Sequence, residues 1–332
     1  MKRVLLTAAL VFIICCGNVS YGAEPRFEKV SDHCYYLQLE MSGENIAAIA
    51  TDEGVLVVNP PQEPDLSLAV GALRRMTSKA VRWVVFTDHH FARADGIHFF
   101  AEQGAQLLTS ARLRDLSKRI IIRTDSKDAT IPESGTNNGI LDALSAFPEL
   151  IFDRQMNLFP SNLEIRILAI QPKARTGGDI VIHVPSEKVL FVGDLFETGR
   201  FPDIDTAYEG SALGWIEGLR QAINSVPLLK PAIPLQAKPE LKSEPEKTLE
   251  ERIAVVSARG RVANLQNMKD LLEVSQRLRN DILRAVRAGR TWDTFLASPI
   301  SEPYRSYGNL ASFAARLFED LTAANRRIPA NP

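Results

Sequence analysis

Short apolar runs separated by turn residues are the main feature of this chain, and they predict buried β-strands. Segments of helical periodicity lie between the runs, which is typical of a mixed α/β fold. The predicted strands cover a loosely alternating stretch at 27–39, then 45–50, 54–59, 81–86, 106–109, parts of 151–170, 180–184, 189–192 and 253–257. The predicted helices cover 66–76, 94–103, 111–122, 215–224 and 265–288.

Two segments show neither the alternation of a strand nor the periodicity of a helix. Residues 123–148 are polar and rich in turn residues, so they form either a cover beside a site or a solvated surface loop. Residues 227–250 contain five prolines and many Lys and Glu, which predicts an extended insertion. We therefore expect one domain at 23–290 that carries this insertion, and a helical C-terminal tail at 291–332 packed on the same domain.

The first 22 residues have the pattern of a secretory signal peptide. Lys2 and Arg3 precede an apolar run at 4–16, and small residues precede Ala23. The run is too short for a stable membrane span. A lipoprotein with Cys15 at its lipid site is the alternative, but Ile14 is larger than the residue usual before such a cysteine. We expect export to the periplasm or the medium, and no membrane span in the mature chain.

Composition and charge limit the possible partners. The chain has 332 residues, of which 45% are hydrophobic and 24% charged, so it can bury a large core. Its formal net charge is −1, and removal of the signal peptide lowers that charge by two. A near-neutral balance favours neither nucleic acid nor an anionic membrane as a partner. The mature chain keeps only Cys34, which excludes an internal disulfide and a cysteine-rich zinc cluster.

The loop after the predicted strand 81–86 carries candidate chemistry, because polar residues at strand ends often form metal or catalytic sites. It reads TDHHFARADG. This segment resembles the motif T-H-x-H-x-D-H of the metallo-β-lactamase fold hydrolases. On that frame Thr87 and His90 match, and Asp88 stands for the first histidine. Ala92 stands where the family has Asp, and Arg93 where it has the last histidine.

Four further positions follow the same resemblance. Asn59 holds the place of the Asp that ends the first hairpin in the family, and Asp194 matches the Asp of its G-D dipeptide. Arg175 occupies the histidine slot of A-H-T-x-G-D, and Arg259 that of P-G-H-G-P-V. The resemblance covers about 27–325, with a tail like that of the subgroup of quinoprotein-relay-type hydrolases. It implies a four-layer αββα sandwich whose matched positions converge at one edge.

Arginine cannot replace histidine as a zinc ligand, because its guanidinium group has no free lone pair and stays protonated. Ligand chemistry survives only at Asp88, His90 and Asp194, which in principle suffice for one ion. The three arginines would repel that ion. Two unit charges about 4 Å apart repel by roughly 4 kcal/mol at an effective dielectric near 20, and a dication doubles this. We therefore expect no bound metal and no cofactor, a single zinc ion being the alternative.

Three interpretations of this altered site remain open. Asp88 and Asp194 form ion pairs with the arginines and hold the loops together, or the surplus positive charge binds a carboxylate or phosphate group, or residual metal chemistry persists. We expect His89 to face away from His90, and Asp179 to be a turn carboxylate.

These interpretations predict a catalytically degenerate protein that binds a small anionic ligand or a protein partner, or acts as a scaffold. No catalytic residue is assigned. The alternative is a one-metal hydrolase of an ester, amide or thioester that uses Asp88, His90 and Asp194.

Overall fold

The computed structural model of the chain describes residues 24–90, 95–124, 150–226 and 248–326, with the backbone alone at 119–124. The expected signal peptide lies outside the described residues, and so do Ala92 and Arg93. Most of the polar segment at 123–148 and of the proline-rich insertion also lies outside them, so the interpretations of these parts stay predictions.

Two β-sheets form the centre of the molecule. The first has seven strands in sequence order, antiparallel from β1 to β4 and parallel from β4 to β7. These are β1 (Glu28–Lys29), β2 (Cys34–Gln38), β3 (Asn45–Thr51), β4 (Gly54–Val58), β5 (Val81–Val85), β6 (Gln106–Ser110) and β7 (Leu150–Phe152).

The second sheet has six strands in the spatial order β13-β12-β11-β10-β9-β8. Its strands are antiparallel except for the pair β11 and β12, which is parallel. They are β8 (Gln155–Leu158), β9 (Ile165–Ala169), β10 (Ile180–Val184), β11 (Val189–Gly193), β12 (Ala254–Ser257) and β13 (Ala263–Asn264).

Helices cover the outer faces of both sheets. They are α1 (Asp65–Met76), α2 (Asp95–Glu102), α3 (Ala111–Thr124), α4 (Ala212–Asn224), α5 (Leu265–Arg287), α6 (Trp292–Leu296) and α7 (Leu310–Arg326). Short 3₁₀ turns lie at Pro160–Asn162, Thr206–Tyr208 and Pro299–Tyr304. Among the described residues, no helix combines the length and the apolar character that a membrane span requires.

Alternation along the strands of the second sheet divides the interior into two cores. Ile180, Ile182 and Val184 of β10 point into the core shared by both sheets, whereas Val181 points into the core beneath the outer helices. The same alternation separates the residues of β11. Successive side chains of a strand face opposite sides, so a fully apolar strand lies between two apolar layers. The result is the predicted αββα sandwich.

The C-terminal helices complete the outer core, and they form the helical tail that the sequence predicts. Phe313 of α7 stacks on Phe201 with ring centroids 4.9 Å apart, and it meets Trp215 of α4 edge to face at 5.1 Å. Leu278 of α5 and Leu317 of α7 belong to the same buried cluster. The tail is therefore part of this packed layer of helices.

Capping residues explain where two helices begin. α4 begins at Ala212, earlier than the predicted start at residue 215, because the Ser211 side chain accepts a hydrogen bond from Gly214 N. α5 begins after Asn264, which forms a reciprocal capping box with Asn267.

Candidate functional site

The sequence-predicted residues lie at one edge of the sandwich. Because β4 and β5 are parallel, as are β11 and β12, the loops that follow these strands emerge at the same ends of their sheets. The loop before β10 joins them, since β10 runs antiparallel to β11. A backbone hydrogen bond of 2.8 Å from Ile180 N to Thr87 O links the two sheets at this edge.

Arg175 lies at the centre of the group, on the loop before β10. One guanidinium nitrogen, Nη1, lies 3.2 Å from Asp88 Oδ2 and 3.0 Å from His90 Nδ1. The other, Nη2, lies 3.3 Å from Asp194 Oδ2. The side chain is only 10% exposed. Burial alone would lower the pKa of Arg175, but the nearby Asp88 and Asp194 carboxylates outweigh it and raise that pKa.

Asp88 is the most deeply buried acid of the group, at 1% exposure. Its Oδ1 accepts a hydrogen bond of 2.8 Å from His90 N and lies 3.1 Å from His90 Nδ1. Burial would raise the pKa of Asp88, yet the hydrogen bond from His90 and the charge of Arg175 lower it below its usual value. The same carboxylate counteracts the effect of burial on His90 and raises the pKa of that imidazole. Asp88 therefore accepts contacts from both Arg175 and His90, and these favour its anionic form.

Asp194 and Arg259 lie further out and interact more loosely. Arg259 Nη1 is 3.7 Å from Asp194 Oδ1, and Arg259 Nη2 donates to Glu44 Oε1 at 2.9 Å. Arg259 is half-exposed, with 45% of its side chain accessible. Burial raises the pKa of Asp194, because the contacts from Arg175 and Arg259 do not offset it. The structure thus brings Arg175 and Arg259 to the two carboxylates.

Asn59 lies behind the ion pairs and outside their contacts. Its Nδ2 donates to Thr87 Oγ1 at 2.9 Å, and its Oδ1 accepts from Thr87 N at 2.8 Å. Thr87 also packs on Gly193, where an added Cβ would lie 2.1 Å from Thr87 Oγ1. Gly193 has a φ of +57°, which favours glycine as well. Asn59 therefore fixes the end of β5 against β4.

The expectation that His89 faces away from the site is wrong. Its ring is buried, with its centroid 4.1 Å from that of His90 and 4.0 Å from that of Tyr208. His89 Nε2 lies 3.2 Å from Asp205 Oδ2 without hydrogen-bond geometry, and neither ring nitrogen has a hydrogen-bond partner in the part of the chain that the structure describes. Burial lowers the pKa of His89 to about 4. The loop does not continue the strand period, so alternation does not hold there.

Two carboxylates of the site were not singled out from the sequence. Glu44 precedes β3 and pairs with Arg259, and Asp205 Oδ2 lies 3.4 Å from His90 Nε2. Glu44 belongs to no motif, and Asp205 ends the string GRFPDID, which resembles the family but was given no role, so their place beside the other loops identifies them. Asp179 is a turn carboxylate that accepts from Thr176 N and Oγ1, and burial raises its pKa to about 7.

These additions change the balance of charge among the described residues of the site, which do not include Arg93. The expected surplus of positive charge is absent from the described residues, where two arginines face four carboxylates. The residues counted are Arg175, Arg259, Glu44, Asp88, Asp194 and Asp205. The electrostatic argument for a carboxylate or phosphate ligand therefore does not hold at this part of the edge.

A zinc ion on Asp88, His90 and Asp194 does not fit this arrangement. Zinc requires oxygen and nitrogen ligands at about 2.0–2.2 Å. Here the guanidinium of Arg175 lies within contact distance of the facing atoms of all three residues. An ion among these atoms would have to displace Arg175.

A different set of residues is a candidate metal-binding group. Asp88, His89 and His90 offer ligand atoms that lie within 4.8 Å of one another. In this set Asp88 already accepts from Arg175 and from His90 N. The group therefore competes with the ion pair for the same carboxylate.

Comparison with known proteins places the fold but not the activity. At the level of sequence, the chain matches no protein-family model and no curated protein. In structure it is similar to a metallo-β-lactamase from Pontibacter korlensis, with a TM-score of 0.52 and 15% identity over 76% of this chain and 99% of that one. It is similar to the metallo-β-lactamase FIM-1 from Pseudomonas aeruginosa in its mono-zinc form, with a TM-score of 0.51 and 13% identity over 76% and 95% of the two chains.

A third neighbour is the stereoselective inverting sec-alkylsulfatase Pisa1 from Pseudomonas sp., with a TM-score of 0.61 and 12% identity. That alignment covers 93% of this chain and 52% of the sulfatase, so the chain spans about half of that protein. Together with the two packed sheets and their outer helices, these similarities show that the chain has the metallo-β-lactamase fold.

Proposed function

We propose that this chain is a non-hydrolytic protein of the metallo-β-lactamase fold in which Arg175 takes the place of a metal ion. A single observation carries the proposal: one buried guanidinium contacts Asp88, His90 and Asp194 at 3.0–3.3 Å. These are the three positions at which the sequence retains ligand chemistry. The positive charge that a metal ion would otherwise supply at this edge then comes from the side chain of Arg175.

The chemistry of guanidinium supports this proposal. A metal in a hydrolase polarises its substrate and activates water at an open coordination position. A guanidinium group has five fixed N–H donors and no coordination position, so it neutralises carboxylates without activating water. The similar proteins are hydrolases by their names, but a fold hosts many functions and the site decides among them. Binding or scaffolding remains as the role of this edge.

Metal analysis of matched variants tests the proposal. We expect the wild-type protein, equilibrated with zinc and then desalted, to retain no stoichiometric zinc. The Arg175→His variant removes the guanidinium and offers an imidazole, so we expect it to retain zinc. Arg82→His is the control, because Arg82 is half-exposed near the start of β5, pairs with Glu53 away from the site and should leave the zinc content unchanged. Stoichiometric zinc in the wild type, or none in Arg175→His, would contradict the proposal.

A one-metal hydrolase of an ester, amide or thioester is the second candidate function. The proximity of Asp88, His89 and His90 favours it, as does the similarity to a lactamase described in a mono-zinc form. This candidate predicts zinc in the wild type and its loss in His89→Ala. The first proposal predicts that His89→Ala leaves the zinc content of the wild type unchanged.

Export is a further part of the proposal. The basic start and apolar run of residues 1–22 support cleavage near Gly22. Intact-mass measurement of the exported protein should show the loss of this segment, and retention of Met1 would contradict it.

A further inference from the structure

A cleft of about 360 Å³ opens beside the ion-pair group, between the segment before β3 and the segment before α1. His90 lies at its boundary with the site. Three carboxylates line it, and no lysine or arginine does among the described residues. The titratable lining residues are Glu44, Glu63, Asp65 and His90. Met41, Pro61 and Pro64 supply apolar surface.

Asp65 is the most informative of these residues. It is 4% exposed, and its Oδ2 accepts a hydrogen bond of 3.1 Å from Ser42 N. Among the described residues, its Oδ1 has no hydrogen-bond partner. No cation pairs with Asp65 in the part of the chain that the structure describes. Its position at the first residue of α1 places it near the positive end of the helix dipole, but that dipole leaves Oδ1 without a donor. A buried carboxylate oxygen without a partner is uncommon.

The other two carboxylates have too few cationic partners among the described residues to make the cleft electrically neutral. Glu44 is bonded to Arg259, which also lies 3.7 Å from Asp194. Glu63 accepts from Ser67 N and Ser67 Oγ, which are uncharged, and from no other side chain or backbone group of the described residues. One shared arginine therefore faces an acidic lining, which favours a cation in the cleft.

The spacing of the carboxylates distinguishes an organic cation from a metal ion. Glu44, Glu63 and Asp65 do not form a group whose ligand atoms converge within 4.8 Å, and Asp88, His89 and His90 form the one such group among the described residues. A metal requires such convergence. An ammonium group with a short apolar chain does not, because one carboxylate is enough to accept its N–H donors while its carbon atoms contact Met41 and the prolines.

We propose that this cleft binds an organic cation that carries N–H donors, with a primary ammonium group as the simplest case. The inference rests on the proposed function only in treating this edge as a binding site. Whether Arg175 excludes zinc does not enter it. The ligand class is opposite in charge to the anion that the sequence alone suggested.

Ligand-observed NMR titration with two probes of opposite charge tests the proposal. The probes are n-butylammonium chloride and sodium butyrate, which share an alkyl chain. We expect saturation transfer to butylammonium, weakening as NaCl is raised, and none to butyrate. In Asp65→Asn we expect the butylammonium affinity to fall at least about tenfold, or about 1.4 kcal/mol. Asparagine keeps the size of the side chain and an acceptor for Ser42 N.

Two further variants keep the test decisive. Glu63→Gln changes an exposed side chain and should weaken butylammonium binding even where Asp65→Asn folds poorly. Glu273→Gln on α5 is the control, since Glu273 is exposed, pairs with Arg277 outside the cleft and should leave binding unchanged. Equal binding of both probes, no binding of butylammonium, or unchanged affinity in both cleft variants would overturn the inference. The zinc analysis is a separate measurement, so failure of either proposal can be recognised by itself.

Discussion

At the scale of single residues, Arg175 affects its two carboxylate partners differently. Asp88 receives Arg175 together with two contacts from His90, and its pKa is lowered. Asp194 has two arginine contacts, at 3.3 and 3.7 Å, and its pKa is raised because burial outweighs them. A buried carboxylate becomes a stable anion only when enough donors surround it. Asp88 is therefore the stronger partner of Arg175.

Removal of the guanidinium should destabilise the protein strongly. We expect Arg175→Met to lower the free energy of unfolding by about 3–5 kcal/mol, because it leaves Asp88 and Asp194 without a buried cation. Urea unfolding at neutral pH measures the change. Arg166→Met is the matched control, since its pair with Glu164 is partly exposed and should contribute less than about 1 kcal/mol. Equal losses in the two variants would contradict a central role for Arg175.

At the scale of elements, the C-terminal helix α7 forms part of the outer core. Phe313 contacts rings contributed by two other segments, Phe201 from the loop after β11 and Trp215 from α4. Phe201 N also donates a hydrogen bond of 2.9 Å to Gly308 O, just before α7. These contacts tie the loop that carries Asp205 to the tail. The outer helices therefore support one wall of the candidate site.

Truncation of Phe313 tests this coupling. Phe313→Ala should lower the free energy of unfolding by about 3–5 kcal/mol, since it leaves a cavity beside the rings of Phe201 and Trp215. Phe159→Ala is the control because Phe159 is 63% exposed, and we expect little change there. Chemical unfolding of both variants decides the matter. A loss below about 1 kcal/mol for Phe313→Ala would mean that α7 contributes little to the core.

At the scale of the whole molecule, buried histidines make stability depend on pH. His183 on β10 is buried, and burial lowers its pKa from 6.5 to about 4, with Arg166 lowering it further and Glu164 opposing. The unfolded chain therefore binds a proton at a higher pH than the folded one. The contribution is present above the unfolded pKa of 6.5, and it is lost as pH falls from about 6.5 to about 4.

Replacement of His183 should flatten this dependence. Between pH 6.5 and pH 4, we expect the wild type to lose more unfolding free energy than His183→Leu, with a difference on the order of 3 kcal/mol at most. Urea titrations across this range measure it. His98→Leu is the control, because His98 lies on α2 and away from β10. Parallel pH curves for the wild type and His183→Leu would show that His183 does not contribute to this loss.

The sequence by itself determined the fold class and much of the element order. Each predicted strand has a counterpart in the structure, because runs such as those of β3, β4 and β11 are apolar on both faces and must lie between two layers. It also determined that Arg175 and Arg259 cannot ligate a metal, since that follows from the guanidinium group alone.

Only the tertiary structure decided how these groups meet. Arg259 and Glu44 are 215 residues apart, and no local pattern relates them. His89 points toward His90 because its loop does not follow the alternation of a strand. Asp205 lies beside His90 because a 3₁₀ turn begins directly after that residue. Net charge at a site is a sum over loops from distant parts of the chain, so the motif positions alone did not include the carboxylates of Glu44 and Asp205. Side-chain chemistry is a local property, whereas the field around it depends on which loops the fold brings together.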